Sequence, residues 1–309
     1  MEIINGLHNL RPRHRGCVLT VGNFDGVHRG HRALIEALCA EAKSLGVPSM
    51  LMTFEPQPRE FFAGEKLPAR LTRFREKVHL LKQTGLDRLL CLPFNERTAN
   101  IEADWFAGEF TVDKVGAKHV VIGDDFRFGR GREGDFALFQ KYGGEFGYKV
   151  SAMSTLLEGQ QRISSTLIRQ TLAAGDFPTA AQMLGHEYFI MGRVVYGRQL
   201  GRQLDVPTAN IRLQRYRAAL EGVYCVTVEG IGEQALEGIA NIGVRPTVDG
   251  KEPLLEVHVF DYAGNLYGDL IKVTFKQKLR DEQTFESIDA LKTQIGADLQ
   301  QARVWFADQ

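Results

Sequence analysis

Only four cysteines occur in the 309 residues, Cys17, Cys39, Cys91 and Cys225. They are far apart and form no C-x-x-C pair. That excludes a disulfide framework or a zinc ribbon and predicts reduced thiols in a cytoplasmic protein. No apolar run approaches the ~20 residues that cross a bilayer. The opening stretch MEIINGLHNLRPRHRG has no apolar h-region, so no signal peptide is expected. Neither sign of charge is in excess, with 38 basic against 38 acidic residues. The chain thus lacks the basic footprint of a nucleic-acid binder or an anionic-membrane binder, and neither is an expected partner. A P-loop, G-x-x-x-x-G-K-[ST], is also missing. There are no internal repeats and no long linker.

The length suggests about two domains at ~150 residues each. Two textures divide the chain near residue 185, which predicts domains at 1–184 and 185–309. In the first half, CVLTVGNF, PSMLMTFEP, DRLLCLPF and KHVVIGDDF read as strands. They alternate with the helical patterns RALIEALCAEAKSLG, RLTRFREKVHLLKQTG and ADWFAGEFTVDKVG. The second of these helices carries Leu71, Phe74, Val78 and Leu81 on one face. This β-α-β-α order predicts an α/β fold, a parallel sheet with helices on both faces. Two helices follow, SSTLIRQTLAAG and FPTAAQMLGHE. After residue 185 come FIMGRVVYG, GVYCVTVEG, QALEGIANIG, LLEVHVFDY and DLIKVTFKQKL, short strands with glycine-bearing turns. They predict a small antiparallel sheet or barrel. A last helix, from about Thr284, carries Phe285, Ile288, Leu291, Ile295 and Leu299 along one stripe, as a helix docked on the core would.

Ligands of parallel α/β sheets bind at the carboxyl ends of strands. There stands VGNFDGVHRGH, residues 21–31. Its glycines, Gly22, Gly26 and Gly30, allow close backbone approach to a ligand. The helix start supplies N–H groups and partial positive charge. His28 and His31 share a face if both lie in the first turn. Together these residues suit phosphate; two histidines so spaced could also bind zinc, though no third ligand is apparent. ISSTLIR, residues 163–169, offers a second anion site: Ser164 or Ser165 as cap, with Thr166 and Arg169 one turn apart. Taken alone it reads as a capped helix.

G-x-F-D-G-x-H-x-G-H together with I-S-S-T-x-I-R resembles the adenylyltransferase module of bacterial bifunctional riboflavin kinase/FAD synthetases. The first motif also resembles the wider H-x-G-H nucleotidyltransferases. The resemblance implies a Rossmann-like domain in which FMN phosphate attacks the α-phosphorus of ATP, giving FAD and pyrophosphate. It implies that His28, His31 and Arg169 act on the phosphates, with Gly22, Phe24, Asp25, Gly26, Gly30, Ser164 and Thr166 in the ATP site. TFEPQP, with Pro56 and Pro58, and GDDFRFGRGREGD, with Asp125 and Arg127, resemble flavin-side loops. Gly129–Gly134 also fits G-x-G-x-x-G. However, DDFRF separates it from the strand, arginines fill its variable positions and no acidic residue follows at the right distance, so a NAD fingerprint is not expected.

In the second half, GRQLGRQLDVPTANI, residues 197–211, packs glycines and arginines before Pro-Thr-Ala-Asn. In an extended segment Thr208 and Asn210 point the same way, and both are hard oxygen ligands suited to Mg²⁺. By itself this is an ordinary turn composition. Its order with GVYCVTV, ANIGVRPTV, LEVHVFDY and LYGDLIKV resembles riboflavin kinases. The resemblance now spans the chain and implies a six-stranded Greek-key barrel with a terminal helix. Such a barrel transfers the γ-phosphoryl group of ATP to riboflavin. It assigns catalysis to Glu256, phosphate binding to Gly197, Gly201 and Arg202, flavin binding to Asn241 and Arg245, and the metal to Thr208 and Asn210. His258 shares the strand face of Glu256. Because the phosphoryl transition state is loose, Glu256 orients the hydroxyl more than it deprotonates it.

The expected substrates are riboflavin, FMN and ATP, with Mg²⁺ as cofactor. The chain departs from the family at Asp205-Val206, where Gly-Phe is usual. That substitution supports an alternative, an adenylyltransferase whose barrel is catalytically weakened and only binds flavin. A nucleotide-binding module whose barrel recruits RNA is opposed by the neutral charge.

Overall fold

The computed structural model describes residues 1–62, 67–153, 157–158, 161–197, 206–215, 217–247 and 250–309. The chain divides into two compact units. One is Met1–Leu67 with Arg73–Ser164, the other Pro68–Thr72 with Ser165–Gln309.

The first unit is built on six strands: β1 (Glu2–Asn5), β2 (Cys17–Val21), β3 (Ser49–Glu55), β4 (Arg88–Pro93), β5 (Ala117–Gly123) and β6 (Lys149–Met153). All pairs are parallel, in the order β1-β4-β3-β2-β5-β6. The sequence revealed the four inner strands, whose apolar residues are buried on both faces as parallel sheets require. It did not reveal the edges. β1 buries only Ile4, and β6 buries no residue, so neither carries a hydrophobic signal.

The connecting helices are α1 (Arg29–Ser44), α2 (Pro58–Phe62), α3 (Phe74–Leu81), α4 (Glu96–Ala99), α5 (Ala103–Trp105) and α6 (Phe136–Phe146). α5 runs on as a π-helix over Phe106–Val115, where Phe106 and Phe110 stack at 4.8 Å within the main core. α1 buries Ile35, Leu38 and Ala42, one stripe of a 3.6-residue period, and ends before Gly46 at φ +63°. α3 is shorter than its sequence pattern. Leu71 precedes it, Phe74 and Val78 are half-buried, and the buried positions are Glu76, Lys77, Leu80 and Leu81. β7 (Leu157–Glu158) and β8 (Gln161–Arg162) form a small ladder. β2 hands on to β3 on one side and borders β5 on the other. The chain order therefore reverses there, which makes the carboxyl ends of β2 and β5 the switch point at which ligands of such sheets bind.

The second unit holds α7 (Ser165–Ala173) and α8 (Phe177–Leu184). Six strands then close into a barrel: β9 (Phe189–Val195), β10 (Ala209–Arg212), β11 (Gly222–Glu229), β12 (Leu236–Thr247), β13 (Gly250–Val259) and β14 (Leu270–Arg280). The circular order is β10-β13-β12-β11-β14-β9, antiparallel throughout. Closure removes the exposed edges that an open sheet leaves. β10 escaped the sequence reading because it is four residues long and carries a buried asparagine.

The last helix, α9 (Ile288–Ala307), starts later than expected, capped by Ser287 Oγ accepting from Ala290 N at 3.1 Å. Phe285 lies before it and Ile288 is 66% exposed, so the docking stripe begins at Leu291. α9 packs Ala302, Leu299, Trp305 and Phe306 on Val223, Cys225 and Ile239 of the barrel wall. These wall residues face outward. By alternation, Tyr224, Val226, Ala240, Ile242, Leu255 and Val257, all buried, fill the interior.

No helix among the described residues is long and apolar enough to cross a membrane. All four cysteines are free thiols, and burial pushes Cys17 and Cys225 up to about 12, which keeps both unreactive.

Candidate active sites

The turn after β2 is built on unusual backbone. Phe24, Gly26 and Val27 sit at φ 48°, 86° and 42°. For Phe and Val such conformations cost roughly 1–3 kcal/mol each and persist where the surroundings enforce them. Phe24 and Val27 are buried, and a Cβ on Gly22 would lie 2.9 Å from the Phe24 ring. Gly22 is thus required by packing inside the turn. α1 then starts with His28 as N-cap, whose Nδ1 accepts from His31 N at 3.3 Å. An accepting Nδ1 leaves the ring proton on Nε2. The two imidazoles stack at 3.6 Å with 16° between planes, and Phe24 packs 5.0 Å from His31. Gly22, Phe24, Asp25, Gly26, His28, Gly30 and His31 therefore form one cluster at the head of a 16-residue helix.

His31 Nδ1 is buried and has no hydrogen-bond partner. Burial holds the His31 pKa well below its ordinary value, helped by the neighbouring His28 and Lys77. The ring is neutral at pH 7. Unfolded, it takes up a proton below pH ~6.5; folded, it does so only at lower pH, so this residue's contribution to stability is lost as pH falls below that value. Urea midpoints of His31→Gln should decline less steeply between pH 7 and 5 than those of the wild type. Parallel declines would contradict the assignment.

Lys77 went unnoticed in the sequence. It is fully buried, and its Nζ donates to Asn23 O at 2.6 Å and Thr53 Oγ1 at 3.3 Å. A signal was available, because Lys77 follows Phe74 by three and precedes Leu81 by four, which puts a charge on the helix's apolar stripe.

The loop after β3 carries Pro56 and Pro58, the latter opening α2, with Gln57 N donating to Glu60 Oε2 at 2.7 Å. After β5, Asp125 pairs with Arg162 at 2.6 Å and Arg127 with Asp135 at 3.2 Å. Asp135 also caps α6 through Leu138 N. The G-x-G-x-x-G stretch is a turn closed by paired Phe128–Gly134 bonds of 3.0 and 2.9 Å. A Cβ on Gly129 would lie 2.7 Å from Ala103, and one on Gly134 2.6 Å from the Phe128 ring. These glycines serve packing, and an aspartate occupies the helix start that a dinucleotide would need. Ser164 ends the first unit, just before α7; Thr166 is exposed, and Arg169 Nε donates to Ala69 O within the second unit.

In the barrel, register aligns Asn210 with Glu256 and Glu256 with Asn241 across β10, β13 and β12. All three have the outward parity. Gly197 makes room for this row, since its Cβ would lie 2.5 Å from Asn210 Cγ. Asn210 Oδ1 and Asn241 Oδ1 are buried acceptors without partners. Asn210 Nδ2 donates to Thr208 O at 3.3 Å, and His258 Nδ1 lies 2.8 Å from Pro207 O. A cavity of about 370 Å³ lies between this row and α9, lined by Val206, Thr208, Asn241, Glu256, His258 and Phe285. Arg280 clasps Asp298 of α9 at 2.8–3.0 Å beside it. A second cavity of about 490 Å³ is lined by Pro207, Thr208, Tyr262, Asn265 and Tyr267. Thr208 borders both cavities. Arg245 lies on β12, opposite Glu252. Gly201, Arg202 and Asp205 lie outside the described residues.

The FAD synthetase family matches residues 10–167 and the riboflavin kinase family residues 184–306. A bifunctional riboflavin kinase/FMN adenylyltransferase from Escherichia coli (strain K12) is 50% identical over 307 residues, 99% of this chain and 98% of its own. One from Pseudomonas fluorescens is 51% identical over 309 residues, again 99% and 98%. A crystal structure of a macrolide-efflux protein from Streptococcus pneumoniae is similar at TM-score 0.78 and 30% identity, covering 96% of this chain and 97% of that one. Full-length similarity to two-activity enzymes supports a working kinase, and the reading of a weakened, flavin-binding barrel gives way to it. The chain belongs to the bifunctional riboflavin kinase/FMN adenylyltransferase family, and it makes FMN from riboflavin and FAD from FMN, with ATP as substrate in both steps.

Proposed function

We propose that the two reactions divide at residue 184, with adenylyl transfer on 1–184 and phosphoryl transfer on 185–309, in the cytoplasm. The reading is carried by one observation: Thr208 borders two cavities, and the Asn210–Glu256–Asn241 row flanks one of them. The cavity under α9 takes riboflavin. Val223, Ile239 and Phe285 suit its ring system, and Glu256 meets the 5′-hydroxyl. The cavity of Tyr262 and Tyr267 takes ATP. Glu256 accepts a hydrogen bond from the hydroxyl and aims its oxygen at the γ-phosphorus, a positioning role that suits a loose transition state. Asn241 and Arg245 hold the flavin; Gly197, Gly201 and Arg202 hold phosphate.

Mg²⁺ fits here. The buried, unpartnered Asn210 Oδ1 and the hydroxyl of Thr208, which borders both cavities two residues before it, are hard oxygen donors. When bound, the ion neutralises charge on the transferring phosphoryl group. Asn210→Ala should raise the Mg²⁺ concentration for half-maximal FMN formation by about ten-fold or more. Magnesium titration of the rate checks this, and an unchanged requirement would exclude Asn210 as a ligand.

In the first unit, His28 and His31 donate to ATP phosphate oxygens at the head of α1, while Gly22, Phe24, Asp25, Gly26 and Gly30 shape the turn around them. Ser164, Thr166 and Arg169 keep the pyrophosphate-side role that the family resemblance gives them; Thr166 and Arg169 stand on α7, in the second unit. Pro56, Pro58, Asp125 and Arg127 border FMN. Both reactants are anions, so fixed donors aimed at the phosphates supply most of the stabilisation. Purified protein given riboflavin, ATP and Mg²⁺ should yield FMN and then FAD by chromatography. FAD formed only from added FMN would overturn the kinase half.

A further inference from the structure

We propose that Lys77 is a positioning residue for adenylyl transfer: its ammonium clamps the strained turn between β2 and α1 and sets a fixed positive charge against the turn that leads to the phosphate-binding histidines. Lysine is almost never fully buried unless its charge is compensated, because desolvating an ammonium is costly. Lys77 has no exposed surface and comes from α3, outside the histidine motif. Its Nζ donates to Asn23 O, inside the turn, and to Thr53 Oγ1 near the end of β3. Thr53 Oγ1 in turn donates to the same Asn23 O at 3.5 Å. One buried donor thus ties three elements together at the carboxyl end of the sheet. The carbonyl it grips directly precedes Phe24, the first residue of the turn at positive φ. Held so, the turn keeps His28 and His31 stacked at 3.6 Å at the helix start. The charge that helps keep His31 neutral is also attractive to a polyphosphate.

The inference rests on the reading of this turn as the adenylyl-transfer site, and the test separates the two. Lys77→Met, Lys77→Arg, Thr53→Val and His31→Ala are assayed for FAD formation from FMN and for FMN formation from riboflavin. In Lys77→Met, kcat for FAD should fall about 100-fold, as when one preorganised donor is lost. The KM for FMN should stay within about three-fold, the pattern of an interaction realised in the transition state. FMN formation should be unchanged, and Lys77→Arg should recover at least about a tenth of the lost rate by restoring charge.

A kcat within about three-fold of wild type, or a parallel rise in KM without loss of kcat, would overturn the proposal. Should Lys77→Met fail to fold, Thr53→Val decides. It should lower kcat about five-fold with KM unchanged, and an unchanged kcat would overturn the clamp. If His31→Ala retains FAD synthesis, the site assignment falls and Lys77 with it. If His31→Ala is inactive and Lys77→Met is not, only Lys77's role falls.

Discussion

Glu256→Ala is expected to cut FMN formation from riboflavin by about 10²-fold or more, the cost of losing the group that positions the reacting hydroxyl. FAD formation from added FMN should remain within two-fold. The size follows from where Glu256 stands. It occupies the middle of three aligned polar residues on the outward face of the barrel, with Asn210 on one side and Asn241 on the other. It lines the cavity under α9 that is proposed above to take riboflavin. Alanine leaves that cavity without the carboxylate proposed to aim the hydroxyl. The interior side chains beside it, Leu255 and Val257, are untouched, so the barrel stays folded. Chromatography of both reactions measures the split, and loss of both in a folded protein would contradict it.

His31→Ala should do the reverse. FAD formation should fall by about 10²–10³-fold, as expected for one fixed donor at a developing charge, and FMN formation should persist. The imidazole is partly buried and stacked on His28, so its position is set before ATP arrives. Alanine removes the donor and the stacking surface together. His31→Gln restores a donor without the stack and should recover part of the rate. Steady-state rates with FMN and ATP decide this, and equal losses in both reactions would contradict separate sites.

Much of the fold and most of the candidate sites were legible because the residues carrying them have sharp signatures. A strand buried on both faces reads as a continuous apolar run, as β2, β3, β4 and β5 do. The glycine–histidine turn and the Pro-Thr-Ala-Asn run stood out for their residue types. β1 and β6 were illegible because edge strands bury little. β10 was illegible because it is four residues long and buries Asn210 where a strand usually carries an apolar residue.

Lys77 was overlooked for a related reason. Its role depends on a contact with Asn23, 54 positions away, which local periodicity does not encode. The registration of Asn210, Glu256 and Asn241 is likewise a product of barrel closure, since each comes from a different strand. The apolar stripe of the sequence places Phe285 in the last helix, yet it precedes α9 and lines the cavity.

The central claim is that one chain binds ATP at two places, at the head of α1 and beside Thr208. Titration of the flavin-free protein with MgATP by equilibrium dialysis tests it most directly. Two molecules should bind per chain, falling to one in His31→Ala and to one, at the other place, in Asn210→Ala. A wild-type protein that saturates with a single ATP would contradict the account.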